Sequence, residues 1–260
     1  MNIEGTQAVT TPLAGVVVIV LLDYLRQHQA WGWFRLASGP PHVKAHPGLL
    51  FAKIMGSGHG GGFTLRPSAS HQGVMAVFDH VDHAQQFLQS TYVQESRSRA
   101  RESWVGLMAV DSVRGQWDGC EWGVTPSDPQ MTSQGLTLAA HPERMAVLTR
   151  ASIRPAKAMA FWRHAPAAQA DLNQAQGCEI AMGLGEAPLV RQCTFSLWHS
   201  KADMLHYAHD GAHRSAIEAA NRYGFFNESL FVRMQLLAMQ GRWRDQDLNH
   251  QAEWLELAHG

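Results

Sequence analysis

Apolar positions along the chain form short runs with strand character, separated by helical periodicity and polar turns. "VVVIVLL" (16–22) is β-branched and apolar without alternation, which predicts a strand buried on both faces. "GLLFAKIM" (48–55) reads as a second strand and runs into the loop "GSGHGGG" (56–62). "GVMAVF" (73–78) follows as a third strand, then a polar turn, a helix start and the run "ESWVGLMAV" (102–110). The same order returns in the second half. "MAVLTRASIR" (145–154) matches the first strand, and "GCEIAMGLGEAPLV" (177–190) matches the strand that enters a glycine loop. "CTFSLWHSKADMLHY" (193–207) parallels "GVMAVFDHVDHAQQF" (73–87), with Ser200 as a helix cap and Asp203 as its box-like partner.

"ESWVGLMAVDSVRGQW" (102–117) and "ESLFVRMQLLAMQGRW" (228–243) close the correspondence. Each half therefore reads strand, helix, strand, glycine loop, strand, helix, strand. That order predicts an α+β fold of two tandem ferredoxin-like (split βαβ) repeats. One such sheet leaves a face uncovered, and two in one chain bury those faces together as a pseudo-twofold α+β barrel. The expected organisation is an N-terminal repeat over 1–118, a Pro/Ser/Thr/Gly-rich linker over 119–144, a C-terminal repeat over 145–243 and a tail over 244–260.

Composition narrows the function. Apolar residues make up 45% and charged residues 17%, as in a globular protein. A net charge of −1 gives no electrostatic case for nucleic acid. Cys120, Cys178 and Cys193 show no CxxC spacing and fit small buried hydrophobes in a reducing cytoplasm, the expected location. The apolar run 16–22 is far shorter than the ~20 residues of a spanning helix, and nothing before it resembles a signal peptide.

The glycine loop invites a phosphate-binding reading, and its context excludes one. "GSGHGGG" lacks the Lys-Ser/Thr pair of a P-loop, and its GxGxxG-like spacing is followed by "FTLRPSASHQ" rather than a helix N-terminus. Two readings stay open. The glycines let backbone approach a flat cofactor, or they carry positive φ in a wide turn.

"KIMGSGHGGGF", "ESWVGLMAVDSVRGQW", "LTRASIRPAKAMAFW", "GLGEAPLVRQCTFSLW" and "GAHRSAIEAANRYGFFNESLFVRM" together resemble the spheroidene monooxygenase family, over roughly residues 15–236. The resemblance implies a haem b-dependent oxygenase that uses O2 and an external electron donor such as ferredoxin on an apolar substrate. Two departures stand out: the C-terminal extension 244–260, and "GWFRLASGPPHVKAHPG" (32–48) before the glycine loop. Alternatives are a haem-dependent dehydratase of the aldoxime dehydratase type, which would act without O2, and a non-enzymatic haem- or ligand-binding protein. A homo-oligomer is left open.

Haem iron takes His, Cys thiolate, Met or Tyr from the protein. His213 lies on the apolar stripe of a helix expected from about Ala212 to Arg222, and the block "GAHRSAI" resembles the family's histidine-bearing helix. His213 is the expected metal ligand, with His206 and His209 as alternatives on the same segment. The resemblance further implies propionate contacts. Arg150 is the first candidate and Arg154 the second, placed on one strand face by their even spacing, and Lys53 leads into the loop. Gly56, Ser57 and Gly58 become candidates for backbone near the haem edge, and His59 a distal acid–base group. Phe63, Phe161, Trp162, Phe195, Trp198, Phe225 and Phe226 are candidates for core or for an apolar pocket.

Overall fold

Strand β1 (Val16–Tyr24) is buried at all nine positions, because the sheet it belongs to is covered on both sides. The computed structural model describes residues 13–126, 144–187, 189–209, 218–220, 222–252 and 255. In the first half β1 leads through α1 (Gln29–Ser38) and α2 (Pro40–Lys44) to β2 (Leu49–Gly58), then across the glycine loop to β3 (Pro67–Phe78). Helices α3 (Val81–Gln89) and α4 (Thr91–Ser98) lead to β4 (Ala100–Trp117) and the short β5 (Cys120–Glu121). The second half repeats this with β6 (Met145–Ile153), α5 (Ala158–Gln174), β7 (Cys178–Ala187) and β8 (Arg191–Trp198). It ends with α6 (Lys201–His209), β9 (Phe226–Trp243) and β10 (Gln246–Asp247). As expected, the Ser200 hydroxyl accepts from the Asp203 N–H at 3.1 Å at the start of α6.

Both repeats have the same split βαβ order, β2-β3-β1-β4 and β7-β8-β6-β9, antiparallel throughout. Pairing of β4 with β9 and of β2 with β7 closes an eight-stranded barrel. The β4·β9 seam is long, from Trp104↔Gly241 to Gly115↔Leu230, whereas β2 meets β7 at Gly56↔Gly185. The fold predicted from the repeats is the fold observed.

Alternate strand positions fill the barrel. Val17, Ile19 and Leu21 of β1 meet Leu148 of β6, Met182 of β7, Phe195 of β8 and Val232 of β9 in one buried cluster. The other face of the first sheet carries Val16, Val18, Val20, Val74, Val105 and Leu107, packed under Phe87, Leu88 and Val93 of α3 and α4. Each such aliphatic contributes roughly 1.5–3 kcal/mol by leaving water.

The repeated pattern of a glutamate and, fifteen residues on, a tryptophan has a structural cause. Two-residue turns with positive φ at both positions, Asp118–Gly119 and Arg244–Asp245, join β4 to β5 and β9 to β10. The carboxylate of Glu228 on β9 accepts the N–H groups of Asp118 and Gly119, both at 2.9 Å. Glu102 on β4 accepts those of Arg244 at 3.0 Å and Asp245 at 2.8 Å. Each repeat thus caps the other's hairpin, one at each barrel mouth. Beyond β10 the chain turns back: His250 bridges to Met239, and Leu255 packs on the first-half core.

Candidate functional site

Two features set the second half apart from the first: an ionic cluster at its barrel mouth and an exposed sheet face. The strand registers relate the halves position by position. Val16 pairs with Phe78 as Met145 pairs with Trp198, so Leu21 corresponds to Arg150, Val20 to Thr149 and Val74 to Thr194. In the same way Ile54 corresponds to Gly183, and Val105 and Leu107 to Phe231 and Arg233.

Arg150 points into the barrel and is 1% exposed. Its guanidinium donates to Glu228 and, at 3.1 Å, to Asp118, and it lies 5.4 Å from the ring centre of Trp117. Lys53 donates to Asp118 and to Glu186, and Arg191 lies 3.4 Å from Glu186. Trp117 completes the cluster by donating its indole N–H to Glu186 at 2.7 Å. Three cations thus face three carboxylates.

Burial opposes ionisation of Asp118, yet Lys53, then Arg150 and Arg191, hold its carboxyl below the usual range. Burial likewise opposes ionisation of Glu228, and the Gly119 and Asp118 N–H groups with Arg150 hold it down. Both folded values lie below the unfolded ones. Their stabilisation is therefore complete above the ordinary carboxylate range, about 4, and is lost as pH falls through the lowered values. Thermal melts should be flat above about pH 5 and decline below about pH 4. Asp118→Asn should shallow that decline, and an unchanged acid limb in this variant would remove Asp118 from the cause.

The exposed face lies on the other side of the same sheet. Where the first half has Val20, Val74 and Val105, each at most 2% exposed, the second half has an exposed Thr149, a half-buried Thr194 and a Phe231 that is 37% exposed. Gly183 stands where Ile54 does and leaves room for the backbone of the glycine loop, and Ser196 stands where Ala76 does, buried and accepting the Trp198 indole N–H at 2.9 Å. This partly open stretch of β6, β8 and β9 is the floor of a candidate cleft. Phe161 and Trp162 of α5 form its aromatic border with Phe63, Phe226, Ala151 and Ile153.

The glycine loop reaches this border from the first half. Ser57 donates its hydroxyl to the Gly183 carbonyl across the β2·β7 seam at 2.5 Å. A Cβ on Gly183 would stand 2.9 Å from the Gly62 carbonyl carbon and 3.0 Å from the Phe63 nitrogen, so the loop backbone lies directly on that glycine. Phe63 then meets Trp162, their ring centres 6.5 Å apart.

The residues singled out from sequence thus separate into two places. Lys53 and Arg150 join the ionic cluster, and Arg150 faces the barrel interior rather than the cleft. Arg154 does not share its face, because β6 ends at Ile153 and a 3-10 turn begins at Pro155. Its exposed guanidinium donates to the Phe226 carbonyl at 3.1 Å, at the cleft's end. Gly56 pairs with Gly185 beneath Leu36, and Gly58 lets the loop fold onto the Gly62 carbonyl. His59 stands in the loop with its side chain in solvent. His206 and His209 are exposed on α6, and His213 lies outside the described residues. Burial pushes the Cys178 thiol up to about 12 and raises that of Cys193 as well, which favours the protonated form of both. Thr149, Thr194, Gly183 and the three carboxylates were not among the sequence candidates. Setting the two repeats side by side in register would have found the first three.

No protein-family model matches the chain. A spheroidene monooxygenase from Rubrivivax gelatinosus is 41% identical over 236 residues, covering 90% of this chain and 87% of the relative. Another from Rhodobacter capsulatus is 36% identical over 203 residues, or 77% and 81% of the two chains. Among solved structures, an aldoxime dehydratase in complex with butyraldoxime superposes with a TM-score of 0.57 at 9% identity, over 86% of this chain and 80% of the other. A second aldoxime dehydratase gives 0.54, with 86% and 82% covered at the same 9% identity. Likeness at that identity concerns the fold.

Proposed function

The chain belongs to the spheroidene monooxygenase family and is an oxygenase, and on that premise we propose that it holds haem b in the second-half cleft and oxygenates an apolar substrate there. The observation that carries this reading is the difference between two sheet faces built to one plan. Thr149 and Thr194 take the places of the buried Val20 and Val74 at nearly the same volume, so the second-half face differs in being open and in carrying hydroxyls. An open face of this kind gives a flat macrocycle room to lie. An aromatic border, Phe63, Phe161, Trp162 and Phe226, suits an apolar ligand. The second-half thiols agree with a histidine ligand, since burial holds Cys178 and Cys193 in the protonated form.

Under this reading His213 binds the iron, and Arg154 is the propionate partner at the cleft's end. Arg150 is occupied by carboxylates inside the barrel. Bound haem supplies activation of O2 with electrons from an external donor. The chain's own part is positional. The Ser57–Gly183 bond fixes the glycine loop as one wall, and the aromatic border excludes water and holds the substrate. The Thr149 and Thr194 hydroxyls offer hydrogen bonds to polar edges on the floor.

Purified protein reconstituted with haemin should show a Soret band in its oxidised and reduced spectra. His213→Ala should remove or shift that band, while His209→Ala leaves it in place. A wild-type protein without a Soret band, or an unshifted His213→Ala spectrum, would refute the assignment.

A further inference from the structure

We propose that the end of the second half beside the cleft docks on an anionic lipid surface. Three large apolar side chains are exposed there: Met159 at 73%, Tyr223 at 52% and Leu189 at 43%. They are neighbours through their backbones and rings, although far apart in sequence. Trp162, one turn along α5 from Met159, donates its indole N–H to the Leu189 carbonyl at 2.9 Å. Ile153 and Arg154 donate their N–H groups to Val190 and to Phe225, at 2.7 Å and 2.8 Å. Tyr223 stacks on Phe225 at 5.6 Å, and Phe225 meets Phe161 at 6.2 Å.

The exposed charges around these tips are mostly basic. Arg154, Lys157, Arg163 and Arg222 are exposed on the segments 154–163 and 218–226, which carry a single acid, Glu218, among the described residues. Arg191, also nearby, is paired with Asp118 and Glu186. The chain as a whole has a net charge of −1, so this concentration is local. Protruding apolar tips ringed by Arg and Lys match a lipid interface, where the tips enter the acyl boundary and the cations meet anionic headgroups. An acidic protein partner would account for the cations and leave Met159 and Leu189 unexplained. Among the described residues no helix is long and apolar enough to cross a membrane, so this contact is peripheral. The surface adjoins Phe161 and Trp162 of the cleft border, so an apolar substrate enters from the bilayer without crossing water. The docking surface stands on these contacts alone and does not depend on haem.

Flotation with vesicles of phosphatidylcholine and phosphatidylglycerol, against phosphatidylcholine alone, tests the proposal on the full chain. The wild type should bind the anionic vesicles and release them at high salt. Lys157→Glu with Arg163→Glu should weaken partitioning at least about tenfold. Met159→Asp should weaken it as well. Phe34→Asp, at a 66%-exposed position on α1 of the other half, should change nothing. Thermal melts of each variant confirm folding. Absence of wild-type binding, binding indifferent to the 157/163 reversals, or loss on Phe34→Asp overturns the proposal. Weakened affinity of the reversal variant for reduced ferredoxin, without vesicle binding by the wild type, would make this face a protein-docking site and overturn it too.

Discussion

Arg150→Leu is expected to cost about 3–5 kcal/mol of folding stability, and on the order of 10 °C in the melting midpoint of a chain this size. The replacement is the residue that the first half itself uses, since Leu21 occupies the corresponding place and is fully buried. Steric fit is therefore not the issue. The loss comes from what remains, because Asp118, Glu186 and Glu228 keep their charges with Lys53 and Arg191 as the remaining cations of the cluster among the described residues. Glu228 cannot turn away without releasing the 118–119 hairpin N–H groups. Arg150→Lys should fall in between, since it retains the charge and loses the forked geometry. Urea unfolding of the three proteins checks this. An Arg150→Leu protein within about 1 kcal/mol of wild type would mean that the cluster does not hold the mouth together.

Gly183→Val is expected to cost about 1–3 kcal/mol and to lift the glycine loop from the cleft border. The obstruction is backbone, the Gly62 carbonyl and the Phe63 nitrogen, and backbone cannot rotate aside as a side chain can. Phe63 would leave Trp162, and the Ser57 bond to the Gly183 carbonyl would break or lengthen. Amide hydrogen exchange over residues 59–63 should accelerate, and haemin should bind more weakly. Gly56→Ala is the control. Its Cβ would meet only Leu36 at 3.6 Å, an ordinary contact, so it should behave like wild type. Unchanged exchange in the Gly183→Val loop would detach the loop from the cleft.

Much of the fold was legible because duplication writes the same local patterns twice. The unbroken apolar run of β1, the Ser200 cap and the glutamate-to-tryptophan spacing of β4 and β9 each reflect contacts that a short stretch of sequence can signal. The candidate site was less legible. Even spacing placed Arg150 and Arg154 on one face, and the end of β6 at Ile153 separated them. The glycine loop runs on into β3 at Pro67 and not into a helix N-terminus, as its flanks suggested. Its seat on Gly183, across the seam in the other repeat, is a contact between residues more than a hundred positions apart.

By itself the sequence determined the order of elements, the two-repeat plan and the family, because periodicity, turn chemistry and duplicated blocks are local properties of a chain. Which face of each strand looks inward was decided only by closure of the barrel. A strand has two faces, and alternation alone does not say which of them meets the interior and which meets helices. Closure turned Arg150 inward among carboxylates, left Thr149 and Thr194 on an open floor, and brought the loop of one half onto a glycine of the other.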